Sequence, residues 1–179
     1  MISWHGSNEP AVSDQGRCVR YLPAVSGHSR HATVGRWVPP VRVAGWARLS
    51  PWAGSRTSLG SGFDGLHVHC GYVGNGRNYV ASLVRSDGHA KVAVEFGWAG
   101  YSTLAWQNAG PELVMDRVYL FQVDWLEDRI VTSVSSEAGV WEMTGDIPAD
   151  RRLPMGAVGL RLDNLACVAA FEVRALEAS

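Results

Sequence analysis

Over residues 40–175, apolar and polar residues alternate with a period of two, in short runs broken by glycine-containing turns. A helical period is not sustained over this stretch, which excludes a bundle. Successive side chains of a strand project to opposite faces. A chain built of such strands hides its apolar faces by closing them on one another. The expected fold is therefore all-β, a two-sheet antiparallel sandwich of around ten strands. With 179 residues, 46% of them apolar, there is enough material for one domain spanning residues 1–179 with a sizeable core. Its twenty glycines and eight prolines are spread along the chain and suit many turns.

In the run 41–49, Val41, Val43, Ala47 and Leu49 share one face, and Arg42, Trp46 and Arg48 the other. In 66–72, Leu66, Val68, Cys70 and Tyr72 share one side, which places His67 and His69 together on the opposite side. Residues 78–86 and 89–96 read as a hairpin joined at Ser86-Asp87-Gly88, since Asp-Gly favours tight antiparallel turns. Residues 117–126 and 129–135 read as a second hairpin turning near Glu127-Asp128. Residues 156–162 and 167–175 read as a last pair, with Asp163-Asn164 between them. The first forty residues are less regular, with 18–22 a strand and Pro39-Pro40 a rigid entry to the next. The Ser/Gly-rich loop 54–62 is of a kind that often rims a binding face.

Sixteen Lys+Arg balance seventeen Asp+Glu, for a net charge of -1. This removes the electrostatic case for nucleic acid or an anionic membrane. Lys91 is the only lysine, either from a genome bias towards arginine codons or from selection for bidentate anion recognition. The N-terminal residues lack a basic then apolar leader, and the apolar run 166–171 is too short to span a bilayer. Cys18, Cys70 and Cys167 are odd in number and widely spaced, so they read as small buried hydrophobes. A cytoplasmic chain is the expectation, although an excised module of a secreted protein would look the same.

The order of elements carries a family likeness. The stretch 79–88, then Thr103-Leu104-Ala105, then 118–123, then Gly156-Ala157-Val158-Gly159-Leu160-Arg161-Leu162 and Phe171-Glu172-Val173 resembles the concanavalin A-like lectin/glucanase superfamily, with laminin-G-like jelly rolls the nearest type. The resemblance covers about residues 60–175 and is strongest in the Gly-x-Val-Gly-Leu-Arg strand and the Phe-x-Val strand. It implies a jelly-roll sandwich with a concave sheet that binds glycans in many relatives.

Glucanases of that superfamily carry Glu-x-Asp-x-x-Glu, whose carboxylates act as nucleophile and acid/base. Here Gln122-Val123-Asp124-Trp125-Leu126-Glu127 matches the spacing, but an amide cannot form the glycosyl ester, and Glu127-Asp128-Arg129 reads as a hairpin turn. His67 and His69 are the candidate catalytic residues, as acid/base groups in a cleft; they could equally be solvated or satisfied sheet histidines, or two ligands to a metal lacking a third. The candidate ligand-binding residues are Trp46, Arg48, Arg85, Trp52 and Trp106, since indole faces stack on pyranose rings. Trp98 is an even choice, the face of Arg85 depends on register, and Trp125 and Trp141 read as core. Glu95 shares its face with Lys91 and reads as an exposed pair. No cofactor or metal site is specified; calcium would draw on Glu9, Asp14, Asp163 and Glu172, whose spacing fixes nothing.

The expected function is carbohydrate binding in a cleft on the concave face. One alternative is a small cytoplasmic enzyme, a glycan lyase or hydrolase or a small-molecule isomerase or cyclase, using the His67/His69 face. The other is a structural or phage-tail-like interaction module. The expected partner is a glycan or small molecule, in an unspecified oligomeric state.

Overall fold

Among the described residues the alternation is realised as fourteen strands: β1 (Ile2–His5), β2 (Ala11–Ser13), β3 (Cys18–Arg20), β4 (Arg30–Trp37), β5 (Val41–Leu49), β6 (Gly65–Tyr72), β7 (Asn78–Arg85), β8 (Ala90–Glu95), β9 (Tyr101–Gln107), β10 (Val118–Trp125), β11 (Arg129–Ser136), β12 (Gly139–Asp146), β13 (Gly156–Leu162) and β14 (Ala166–Ala175). A computed structural model describes residues 2–5, 11–13, 18–20, 30–49, 65–73, 78–85, 90–95, 101–107, 117–162 and 166–177. Sheet I runs β1-β4-β13-β6-β7-β8-β9 and sheet II runs β12-β11-β10-β5-β14-β3-β2. Neighbours pair antiparallel, so the all-β sandwich expectation holds, with more strands than the sequence suggested. Three of the additional strands, β1, β2 and β4, lie in the first forty residues.

The core sits between the sheets. From sheet II, β5 contributes Val41, Val43 and Ala47, β10 contributes Tyr119, Phe121, Val123 and Trp125, and β11 contributes Ile130 and Val134. From sheet I come Val68 and Cys70 of β6, Tyr79 and Ala81 of β7, and Val158 and Leu160 of β13. Tyr79 meets Trp125 across the layers, ring centroids 6.0 Å apart and tilted by 56°, a favourable aromatic geometry. Trp125 is fully buried as expected, while Trp141 is half-buried at the inward face of β12.

Both interior hairpins form as read, β7 with β8 and β10 with β11. The last pair does not. β13 lies between β4 and β6 in sheet I, whereas β14 pairs with β5 and β3 in sheet II. Both strands face the core, with Val158 and Leu160 entering from one layer and Phe171 and Val173 from the other. Alternation records only that one face is buried, so a strand that changes sheet looks the same as a returning hairpin.

Thr132 holds an inward position between Ile130 and Val134 and is 2% exposed. Its Oγ1 has no hydrogen-bond partner among the described residues. A buried hydroxyl without a partner costs free energy. Thr132→Val, which replaces that hydroxyl with a methyl of similar size, is expected to stabilise the fold by about 1 kcal/mol. Chemical denaturation checks this, and a lower midpoint at unchanged slope would refute it.

Candidate functional site on the outward face of sheet I

β6 positions the two histidines. Val68 and Cys70 point to the core, so His67 and His69 lie on the opposite face of sheet I, as the alternation requires. Both are buried, at 4% and 2% exposure, and so is Asn78 at 1% on the same face of β7. Burial outside the apolar core removes the reading of these histidines as solvated side chains and marks an enclosed polar layer.

Register extends the site. His67 stands opposite Arg161 on β13 and Ser82 on β7. From there the row continues through Arg161 to His31 and His5, and through Ser82 to Lys91 and Trp106. One register row thus crosses all seven strands. Arg85 pairs with Gly65, two positions from His67, so register assigns it to the His67 face, just beyond a bulge at Leu66/His67. Arg161, Ser82, His31 and Asn78 were not read as site residues from sequence, and Lys91 was read only as half of an exposed pair with Glu95. Their signal is which strands are neighbours, and a local pattern does not contain it.

Trp46 and Arg48 do not join this group. They sit on β5, on the outward face of sheet II, opposite Leu120 and Val118 respectively. The expected single face lined by Trp46, Arg48, His67 and His69 is therefore divided between two outer faces that point away from each other. The cause is a change of sheet between β5 and β6, over residues 50–64, which lie outside the described residues together with Trp52 and the loop 54–62. Trp98 is also outside them, and for Trp106, Arg85 and the Lys91/Glu95 pair only the backbone positions are described.

The Gln122-to-Glu127 segment has structural work. The Arg42 guanidinium donates from Nε and Nη2 to the two Asp124 carboxylate oxygens at 2.6 and 2.7 Å. Gln122 Nε2 donates to Asp124 Oδ2 at 3.4 Å, and Glu127 is exposed in the turn. The hydrogen bond to Asp124 raises the Arg42 pKa, so a bidentate ion pair occupies the carboxylate of the glucanase-like spacing. Cys70 is a buried free thiol whose pKa is pushed up by burial, the inert kind of cysteine. Only the backbones of Cys18 and Cys167 are described.

Among the described residues, no group of three or more His, Cys, Asp or Glu could hold a metal. Of the calcium candidates, Glu172 is exposed on β14, and Glu9, Asp14 and Asp163 lie outside the described residues. No helix among the described residues is long and apolar enough to cross a membrane.

Comparison with solved structures matches the whole arrangement of strands. The VIP36 exoplasmic/lumenal domain in its Ca2+-bound form aligns with TM-score 0.68 and 14% identity, covering 99% of this chain and 84% of that one. A seed lectin of Lotus tetragonolobus aligns with TM-score 0.67 and 10% identity, over 99% and 94% of the two chains. The chain has the concanavalin A-like lectin fold. Lectin I from Ulex europaeus, solved with a methyl glycoside of alpha-L-fucose, aligns to the same lectin fold with TM-score 0.65 and 9% identity, over 96% and 90%. No protein-family model matches the sequence, and comparison with curated proteins gives no match.

Proposed function

We propose that this chain is a lectin-like carbohydrate-binding protein whose ligand engages the outward face of sheet I, at the row centred on His67. The observation that carries this reading is the register row itself, which gathers His67, Ser82, Arg161, Lys91 and Trp106 on one face of a lectin fold. A sugar presents hydroxyls that both donate and accept, together with an apolar ring face. Imidazole, hydroxyl and guanidinium groups serve the first and an indole serves the second. The solved neighbours include VIP36 bound to Man3GlcNAc and the Ulex lectin bound to a fucoside.

The burial of both imidazoles favours one further reading, a small enzyme using His67 or His69 as acid/base, because an enclosed imidazole can hold a proton against a bound substrate away from water. A thermal-shift screen against neutral and acidic oligosaccharides and small metabolites, with calcium or a chelator, separates the two. The expected result is a glycan hit whose affinity falls about tenfold or more in His67→Gln and is unchanged in Trp46→Ala. Affinity lost in Trp46→Ala and kept in His67→Gln would move the site to sheet II. A metabolite that is turned over, with turnover lost in His67→Gln or His69→Gln, would favour the enzyme.

A further inference from the structure

We infer that the ligand of the sheet I face is an acidic oligosaccharide, one whose sugars carry carboxylate or sulfate groups. This rests on that face being a glycan site, and the placement of the chain's own charges supplies the rest. Among the described residues, the seven strands of sheet I hold five basic residues, Arg30, Arg36, Arg85, Lys91 and Arg161, and one acidic residue, Glu95. The seven strands of sheet II also hold five arginines, but against four acidic residues, Asp124, Glu142, Asp146 and Glu172. Over the whole chain acids and bases balance, at 17 against 16. The acid deficit of sheet I is therefore a matter of placement.

Register brings that deficit to the site. Arg161 stands one strand from His67 on β13, and Lys91 stands two strands away on β8, beyond Ser82. Neither this row nor the one beside it, through Gly159, His69, Val80 and Ala93, contains an aspartate or a glutamate. Glu95 lies four residues from Lys91 along β8, about 13 Å away, and pairs with Asn78 outside both rows. Arg85 adds a third basic position on the same face, beyond the bulge at Leu66/His67.

A guanidinium presents a planar fork that matches a carboxylate or a sulfate with two hydrogen bonds, and an ammonium presents a compact point charge. His67, between the two cationic positions, is 4% exposed, and away from water a charge on the ligand interacts more strongly than it would in solvent. The backbone positions of Arg161 and Lys91 are three strand spacings apart, about 14 Å. That is longer than one sugar ring and suits acid groups on separate units of an oligosaccharide. The sugars bound to VIP36 and to the Ulex lectin, Man3GlcNAc and a fucoside, carry no charge, so the ligand inferred for this chain differs from theirs in class.

The test is calorimetric titration of the full chain with oligogalacturonate and with its methyl-esterified form, which share a backbone and differ in charge. A sulfated dextran oligosaccharide and its unsulfated parent distinguish sulfate from carboxylate. The expected result is that the charged member of one pair binds about tenfold or more tightly than its uncharged partner and loses affinity between about 20 and 200 mM salt. Arg161→Gln and Lys91→Gln are each expected to weaken that binding about tenfold, and Trp46→Ala to leave it unchanged. The comparison of charged with uncharged probes needs no variant, so it decides the matter if Arg161→Gln fails to fold. Equal affinity for both members of each pair, lost in His67→Gln, overturns the inference and leaves the glycan site standing. Charged binding that survives the Arg161→Gln/Lys91→Gln double variant also overturns it, as does a single-stranded oligonucleotide that binds more tightly than either acidic glycan. Binding of no glycan, charged or uncharged, removes the glycan site and the inference with it.

Discussion

Gly156→Ala is expected to destabilise the sandwich by about 3 kcal/mol or more, enough to lower the melting temperature of a chain this size by roughly 10 °C or prevent folding. A Cβ at Gly156 would lie 2.2 Å from the carbonyl carbon of Gly71 and 2.5 Å from its Cα and oxygen. These are backbone atoms of the neighbouring strand, so no side-chain rotation relieves the overlap. Gly71 cannot yield by moving away. It has φ +69°, and its own Cβ position lies 3.0 Å from Leu153 Cδ1 and 3.2 Å from Trp125 Cζ2, so its far side is filled by core. β13 and β6 would have to separate at the point where their register already shifts, between Ala157 and Gly159. Urea denaturation of the variant checks this, and a loss below about 0.5 kcal/mol, the range of an innocuous substitution, would show that the two backbones do not meet so closely.

What the sequence revealed and what it hid divide along the same physical line. Alternation and turn chemistry are local, so the inward faces of β5, β6 and β10, the Asp-Gly hairpin and the burial of Trp125 were legible. The sheet to which a strand belongs depends on partners far along the chain. β13 and β14 are neighbours in sequence yet lie in different sheets, and so do β5 and β6. For that reason Trp46 and His67, assigned to one face by sequence, are on opposite exteriors. Arg85, whose face depended on register, and Trp106 acquire register positions in the His67 group. Burial of the histidines was hidden for a related reason, since a polar outward face gives no local sign of being enclosed.

The division of faces also separates two kinds of chemistry. Sheet I carries buried imidazoles on its outward face, whereas sheet II carries exposed valines and a leucine there. The buried imidazoles sit in low dielectric, where each hydrogen bond counts for more.

Tyr79→Phe is expected to cost about 2 kcal/mol, and the difference from wild type should shrink as pH rises above about 10. The Tyr79 hydroxyl donates to the carbonyl oxygen of Arg151 at 2.7 Å and accepts from the Leu153 N–H at 2.8 Å. One phenol thereby ties the segment that follows the short 3-10 turn Ala149–Arg151 to the end of sheet I. It also holds Leu153 against the core beside Gly71. Phenylalanine keeps the ring against Trp125 but leaves a backbone donor and an acceptor without that partner. Burial pushes the phenol up to about 12, the hydrogen bond from Leu153 opposing the rise. With the folded pKa above the unfolded value near 10, the native state holds the proton more tightly. The contribution is complete below about pH 10 and is lost as pH rises through about 12. Paired denaturation curves of the wild type and Tyr79→Phe at pH 8 and about pH 11 measure it, the unfolded phenol ionising between those values. A difference that stays constant or widens with pH would mean that the hydroxyl is not buried between Arg151 and Leu153.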